Sequence, residues 1–139
     1  MKLVLRFLAV CGLFGAFAFA DMPIPATSLP QKAQSFIANT LKDNITMAMQ
    51  DNDSFEVMLS NGYKVEFYLN GDWKEIENYN GVASAVFPAP VSSAIAKAYP
   101  NVNIIKVEKE WSGFEVKLAS RMKIYVDTNG NILGQKMDD

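Results

Sequence analysis

The chain has 139 residues, half of them hydrophobic, with 13 Lys and Arg against 15 Asp and Glu. That length supports one domain around a single core, and a slight acidic excess without a basic cluster argues against the phosphate neutralisation that nucleic-acid binding demands. Histidine is absent and the one cysteine is Cys11, which removes Ser-His-Asp and Cys-His nucleophiles, imidazole bases and ordinary zinc sites together.

Residues 1–20 read as a cleavable signal peptide. Lys2 and Arg6 form a positive start, Phe7 to Phe19 is an apolar run, and Ala18-Phe19-Ala20 offers small residues around a cut before Asp21. A membrane span is the competing reading, but the run is short for one and Asp21, Pro23 and Pro25 follow at once. Lipidation at Cys11 is the other, and bulky Val10 just before it fits that poorly. The expectation is therefore a periplasmic protein of residues 21–139, with no transmembrane anchor after cleavage. It would carry neither thiol nor disulfide, so the core alone must stabilise the fold. Without Lys2 and Arg6 the counts are 11 basic and 15 acidic residues, a net charge of −4.

The first helix should open at Leu29-Pro30, with Ser28 as a cap and Ala33, Phe36, Ile37 and Leu41 as its apolar stripe. Strands follow by period-two alternation: Ile45, Met47 and Met49, then Phe55, Val57 and Leu59, then Tyr63 to Leu69, then Trp73 to Glu77. Asn61-Gly62 and Asn70-Gly71 suit tight hairpins, because both residue types tolerate positive φ. Residues 78–86 form a linker too short to separate two domains, so the sheets on either side should join or abut. A second helix carries Val91, Ala94, Ile95, Ala98 and Tyr99, and Pro100 stops it. The last strands are Ile104 to Glu110, Phe114 to Ala119, Met122 to Asp127 and Asn131 to Gln135.

A shift of 58 or 59 residues lays the chain on itself. Phe55-Glu56-Val57-Met58-Leu59 falls on Phe114-Glu115-Val116-Lys117-Leu118, Lys64-Val65-Glu66-Phe67 on Lys123-Ile124-Tyr125-Val126, and Asn70-Gly71 on Asn129-Gly130. The fold class expected is α+β: two tandem helix-plus-antiparallel-meander repeats, about 28–80 and 86–135, with the helices packed on one face of the sheet. Ser120-Arg121 stands where the first copy has Asn61-Gly62, so that hairpin is expected to turn differently.

With Phe-Glu-Val-x-Leu, the following Lys and Asn-Gly, and Leu-Pro ahead of the helix, the chain resembles the PepSY-like family of β-lactamase-inhibitor-like exported proteins, over residues 28–135. The resemblance implies a two-repeat α+β fold outside the cytoplasm and hints at a sheet surface that grips another protein. That hint is analogy from fold, and no contact residue is carried over.

The residues leave binding as the better fit, with no catalytic residue, cofactor or metal assigned. Asp51, Asp53 and the run Asp127-x-Asn129-x-Asn131 could suit a hard cation, yet Asp and Asn are also ordinary turn formers. Glu56 and Glu66 share the polar strand face with Lys64, where solvated cross-strand pairs are expected rather than a glycosidase acid pair. Alternation places Glu66, Tyr68, Lys117, Lys123 and Tyr125 on the face away from the helices, and Trp73 and Trp111 in hairpin or linker positions. Aromatics amid mixed charge suit a protein interface, so these seven residues are the expected contact set for an envelope or exported partner. The expected function is non-enzymatic protein binding or modulation. Inhibition of an exported hydrolase and a Ca²⁺-responsive module are the alternatives.

Overall fold

The computed structural model describes residues 21–138; the signal-peptide reading lies outside the described residues. The chain runs through β1 (Met22–Ile24), α1 (Gln31–Phe36, continued by a π turn, Ile37–Leu41), β2 (Ile45–Gln50), β3 (Ser54–Leu59), β4 (Lys64–Tyr68) and β5 (Trp73–Glu77). It continues with α2 (Ala89–Ala98), β6 (Ile104–Glu110), β7 (Gly113–Leu118), β8 (Met122–Asp127) and β9 (Ile132–Met137). Among the described residues all nine strands form one antiparallel sheet in sequence order. Pairing of Glu75 with Glu108, Ile76 with Val107 and Glu77 with Lys106 carries the sheet across the linker without a break. The fold is α+β.

The helix starts differ from the expected caps. Ser28 closes a 3-10 turn, Ala26–Ser28, and α1 begins after Pro30 with no side-chain cap. Pro30, at the N-cap, has no side-chain oxygen to accept a first-turn N–H, and its own missing N–H leaves no orphan donor at that position. The Gln34 amide instead donates 2.8 Å to the Leu29 carbonyl, tying the first turn back to the incoming chain. Lys42, at φ 52°, ends the helix in the left-handed region. In α2, Pro90 sits in the first turn and the helix ends at Ala98, just ahead of Pro100.

The core follows the strand register. Val57, Val65, Ile76, Val107, Val116 and Ile124 are each the direct partner of the next across six adjacent strands, and all are fully buried. They share one hydrophobic cluster with Ala33, Ile37 and Leu41 of α1 and Val91 and Ile95 of α2. Five aromatic rings run through the same cluster. Phe36 meets Phe67 edge-on and stacks on Trp73, each at 6.2 Å; Trp73 stacks on Phe114 at 6.1 Å; Phe114 meets Phe87 edge-on at 5.3 Å. These are favourable separations for quadrupolar rings. The chain of rings joins α1 and β4–β5 to β7 and the approach to α2.

Register irregularities fall at Ile45/Met47, Glu66/Phe67, Ile104/Lys106 and Tyr125/Val126. The linker is held by Asn78, a buried polar side chain. Its amide donates to the Asn61 carbonyl at 3.3 Å, its oxygen accepts the Asn80 N–H at 2.9 Å, and its own N–H reaches the Ile105 carbonyl. Strand β1 was not expected. Three residues including Pro23 show no periodicity, and proline is tolerated there because β1 is an edge.

The β7–β8 hairpin does not turn differently from β3–β4. Arg121 adopts φ 74° where Gly62 has 97°, and each donates its N–H to the leucine three residues back. The left-handed conformation is therefore imposed on a non-glycine residue, at a cost of about 1–2 kcal/mol, by the strand pairing on either side.

Candidate functional site: a two-stripe sheet face and an exposed hairpin tip

Residues that alternate with the buried valines form the other side of the sheet, and their register sorts them by charge. Glu56 pairs with Glu66, Glu66 with Glu75, Glu75 with Glu108 and Glu108 with Glu115, so five glutamates stand in one row across five strands, continued by Tyr125. One step along the strands runs a second row: Lys64, Glu77, Lys106, Lys117, Lys123 and Lys136, each opposite the next. Like charges directly opposite repel, and the remedy is diagonal. Lys64 reaches Glu56 at 3.2 Å, Lys74 reaches Glu66 at 3.6 Å, Lys106 reaches Glu75 at 3.5 Å and Lys123 reaches Glu115 at 3.2 Å. Hydrogen bonding and the charge of Glu56 hold Lys64 above its ordinary pKa, and Glu115 does the same for Lys123.

The seven expected contact residues are not brought into one patch. Lys117 and Lys123 are direct neighbours, and Tyr125 stands beside Glu115, with its ring near Gly134. Tyr68, half-exposed under the Lys74 ammonium, lies four strands from Tyr125, about 19 Å at the usual strand spacing. Glu66 belongs to the acidic row. Trp111 is 102% exposed at the tip of the β6–β7 hairpin. Trp73 corrects the expectation, since it is 6% exposed and sandwiched between Phe36 and Phe114. Alternation back from buried Ile76 would turn Trp73 outward. The irregularity at Glu66/Phe67 inserts an extra residue, so that Trp73 pairs with Phe67 and faces the core. Lys109, not among the expected contact residues, places its ammonium 4.4 Å from the Trp73 ring centre, and burial lowers its pKa.

Near the Trp111 hairpin a cleft of about 170 Å³ is lined by Glu110, Ser112, Phe114, Tyr125, Val126 and Leu133. Glu108, Glu110 and Glu115 bring one carboxylate oxygen each to within 4.8 Å of one another. The acids singled out from the sequence are engaged in turns instead. Asp127 accepts the N–H groups of Asn129 and Asn131, and Asp51 those of Asp53 and Ser54. Both carboxyls are held below their ordinary pKa, chiefly by backbone hydrogen bonds. Among the described residues no helix is long and apolar enough to cross a membrane.

Residues 53–134 match the family described as "Putative beta-lactamase-inhibitor-like, PepSY-like". The chain belongs to this family. Solved relatives of this PepSY-like protein share its fold. One, from Bacteroides thetaiotaomicron, is described as "a putative calcium-regulated periplasmic protein"; it is 32% identical over 84% of this chain and 96% of its own, with a TM-score of 0.76. A second, "a putative periplasmic protein from DUF2874 family" of Bacteroides vulgatus, is also 32% identical, over 84% and 96%, with a TM-score of 0.74. A third, of unknown function and also from Bacteroides vulgatus, is 23% identical over 84% and 99%, with a TM-score of 0.75. A comparison with curated proteins finds no match.

Two features of the PepSY-like face were not legible in the chain. The alignment of five glutamates in one row and of five lysines with Glu77 in the next depends on which residue of one strand opposes which of the next, and the clustering of Glu110 with Glu108 and Glu115 depends on the β6–β7 turn.

Proposed function

We propose that the protein is a non-enzymatic periplasmic binding protein that engages an exported or envelope protein through the β6–β9 end of its charged sheet face. The observation that carries this is Trp111, fully exposed on a hairpin tip while Tyr125 and Leu133 line the cleft nearby. Burying such an aromatic is worth about 1.5–3 kcal/mol, and tryptophan is enriched where interfaces concentrate their energy. Lys117, Lys123 and Tyr125 would form the surround, with Glu66 and Tyr68 at its far margin. Trp73 plays no contact role. The periplasmic location is supported by the description of the relatives and by the signal-like residues 1–20. We further infer that the halves are copies of one unit with both helices on the core side. Support comes from the register irregularities, which recur 59 residues apart, and from the core that both helices share.

Capture from the organism's own envelope fraction tests the reading. A specific partner should be retained by the native protein and lost with Trp111→Ala, and the absence of any partner at micromolar protein counts against it. The family description favours an exported hydrolase as that partner. Titration against β-lactamases and envelope proteases should then lower turnover in proportion to occupancy.

A second reading, Ca²⁺ responsiveness, is favoured by the Glu108, Glu110 and Glu115 cluster and by the description of the relative from Bacteroides thetaiotaomicron. Ca²⁺ takes six to eight oxygens, so three carboxylates would need bidentate contacts or water to complete the shell. Calorimetry should give a heat of Ca²⁺ binding that Glu110→Gln removes and Asp127→Ala leaves in place. A flat trace with the native protein ends this reading.

A further inference from the structure

The lysine row contains positions that the diagonal pairing does not reach, one of them at its centre. Lys106, Lys117 and Lys123 are direct neighbours on β6, β7 and β8, and Lys136 extends the row to the open edge strand. Lys106 and Lys123 each have a glutamate on a strand, Glu75 and Glu115. Among the described residues neither Lys117 nor Lys136 has one. The one ion-pair partner of Lys117 there is Asp138, 2.8 Å away and beyond the end of β9. The same carboxylate lies 3.7 Å from Lys123, and its backbone N–H donates to the Arg121 carbonyl. The three lysines, Glu108, Glu115 and Asp138 enclose a hollow of about 60 Å³.

We propose that Lys106, Lys117 and Lys123 form a carboxylate-binding site for an acidic segment of a partner protein, and that the chain's own Asp138 holds this site in the free protein. A residue outside the strands neutralises the centre of the row, so it can be exchanged without disturbing the sheet. The row from Lys106 to Lys136 covers three strand spacings, about 14 Å, which is longer than one small anion. An extended acidic segment covers that distance in about four residues. The glutamate row alongside repels such a segment from the rest of the face and fixes where its acids lie. This inference rests on the sheet face being the partner surface.

Fluorescence anisotropy with a labelled octapeptide of alternating Asp and Thr tests it, with the Asn-for-Asp peptide as the uncharged control and inorganic phosphate as competitor. Removing an internal competitor raises apparent affinity by the reciprocal of the fraction of sites it left open, fivefold for a site open about one-fifth of the time. Asp138→Asn should therefore bind the acidic peptide about fivefold or more tightly than the native protein. Asp53→Asn removes the same charge at the β2–β3 turn and should leave affinity unchanged. Adding Lys117→Gln to Asp138→Asn should erase the gain. Equal affinities for native protein and Asp138→Asn overturn the proposal, as does a gain that survives Lys117→Gln. Displacement by phosphate at concentrations matching those of the peptide overturns the assignment to a protein segment. Envelope capture that Trp111→Ala abolishes, together with no peptide gain in Asp138→Asn, would remove this site and leave the partner surface standing.

Discussion

Two tryptophans show how far a residue's role depends on its surroundings. Trp73 bridges Phe36 and Phe114 and carries the Lys109 ammonium on its ring. Trp111 is wholly in solvent. Trp73→Ala should cost about 3–5 kcal/mol, the usual price of emptying a large buried aromatic site. Trp111→Ala should stay within about 0.5 kcal/mol of the native protein. Urea unfolding followed by circular dichroism separates them, and a shallow loss at Trp73 would mean that the ring chain is not a structural joint. Composition and turn position made the two residues look alike. The distinction comes from one extra residue in the β4–β5 ladder, which no local pattern announces.

The elements depend on connections that the strand pattern does not contain. Asn78 fastens the linker to the β3–β4 turn through Asn61 and to its own turn through Asn80. Asn78→Ala strands the Asn61 carbonyl and Asn80 N–H in a half-buried place, and should destabilise the fold by about 1–3 kcal/mol. The urea midpoint should fall with the m-value unchanged; a change below 0.5 kcal/mol in this measurement would mean that water replaces the amide. Most strands were legible from alternation, because every second residue of β3, β4, β7 and β8 enters the core. Strand β1 was not, being three residues long, and neither was the turn at Ser120-Arg121, where flanking pairing overrides the residue's preference. The π turn that ends α1 had no signal either.

At the level of the molecule, charge is the property with the widest reach. With no histidine, few groups titrate near neutrality. Asp72 is held below 3.8 by its hydrogen bond and ion pair with Lys32, Asp51 by the Asp53 amide, and Asp43 by the Ser60 hydroxyl. In that acid range the unfolded chain binds more protons than the folded one, so acid favours unfolding. Thermal stability should be level between about pH 5.5 and 8. It should decline as pH falls through 3.8 toward the lowered folded values, and a transition near pH 6.5 in a melting series would contradict this. The diagonal pairs of the two rows are only partly buried and still solvated, so they add little singly, and added salt should leave the melting temperature nearly unmoved while weakening any binding at the lysine row.

By itself the sequence determined the α+β class, the strand alternation, the hairpin positions, the absence of histidine chemistry and the family likeness. Each of these is local, set by spacing of two or 3.6 residues or by composition. Tertiary structure alone decided that Trp73 is core and Trp111 surface, that five glutamates line up in one row and five lysines, interrupted by Glu77, in the next, and that Asp138 meets Lys117. Those facts depend on register between strands far apart in the chain, and a slip of one residue in any ladder would turn its side chains to the opposite face.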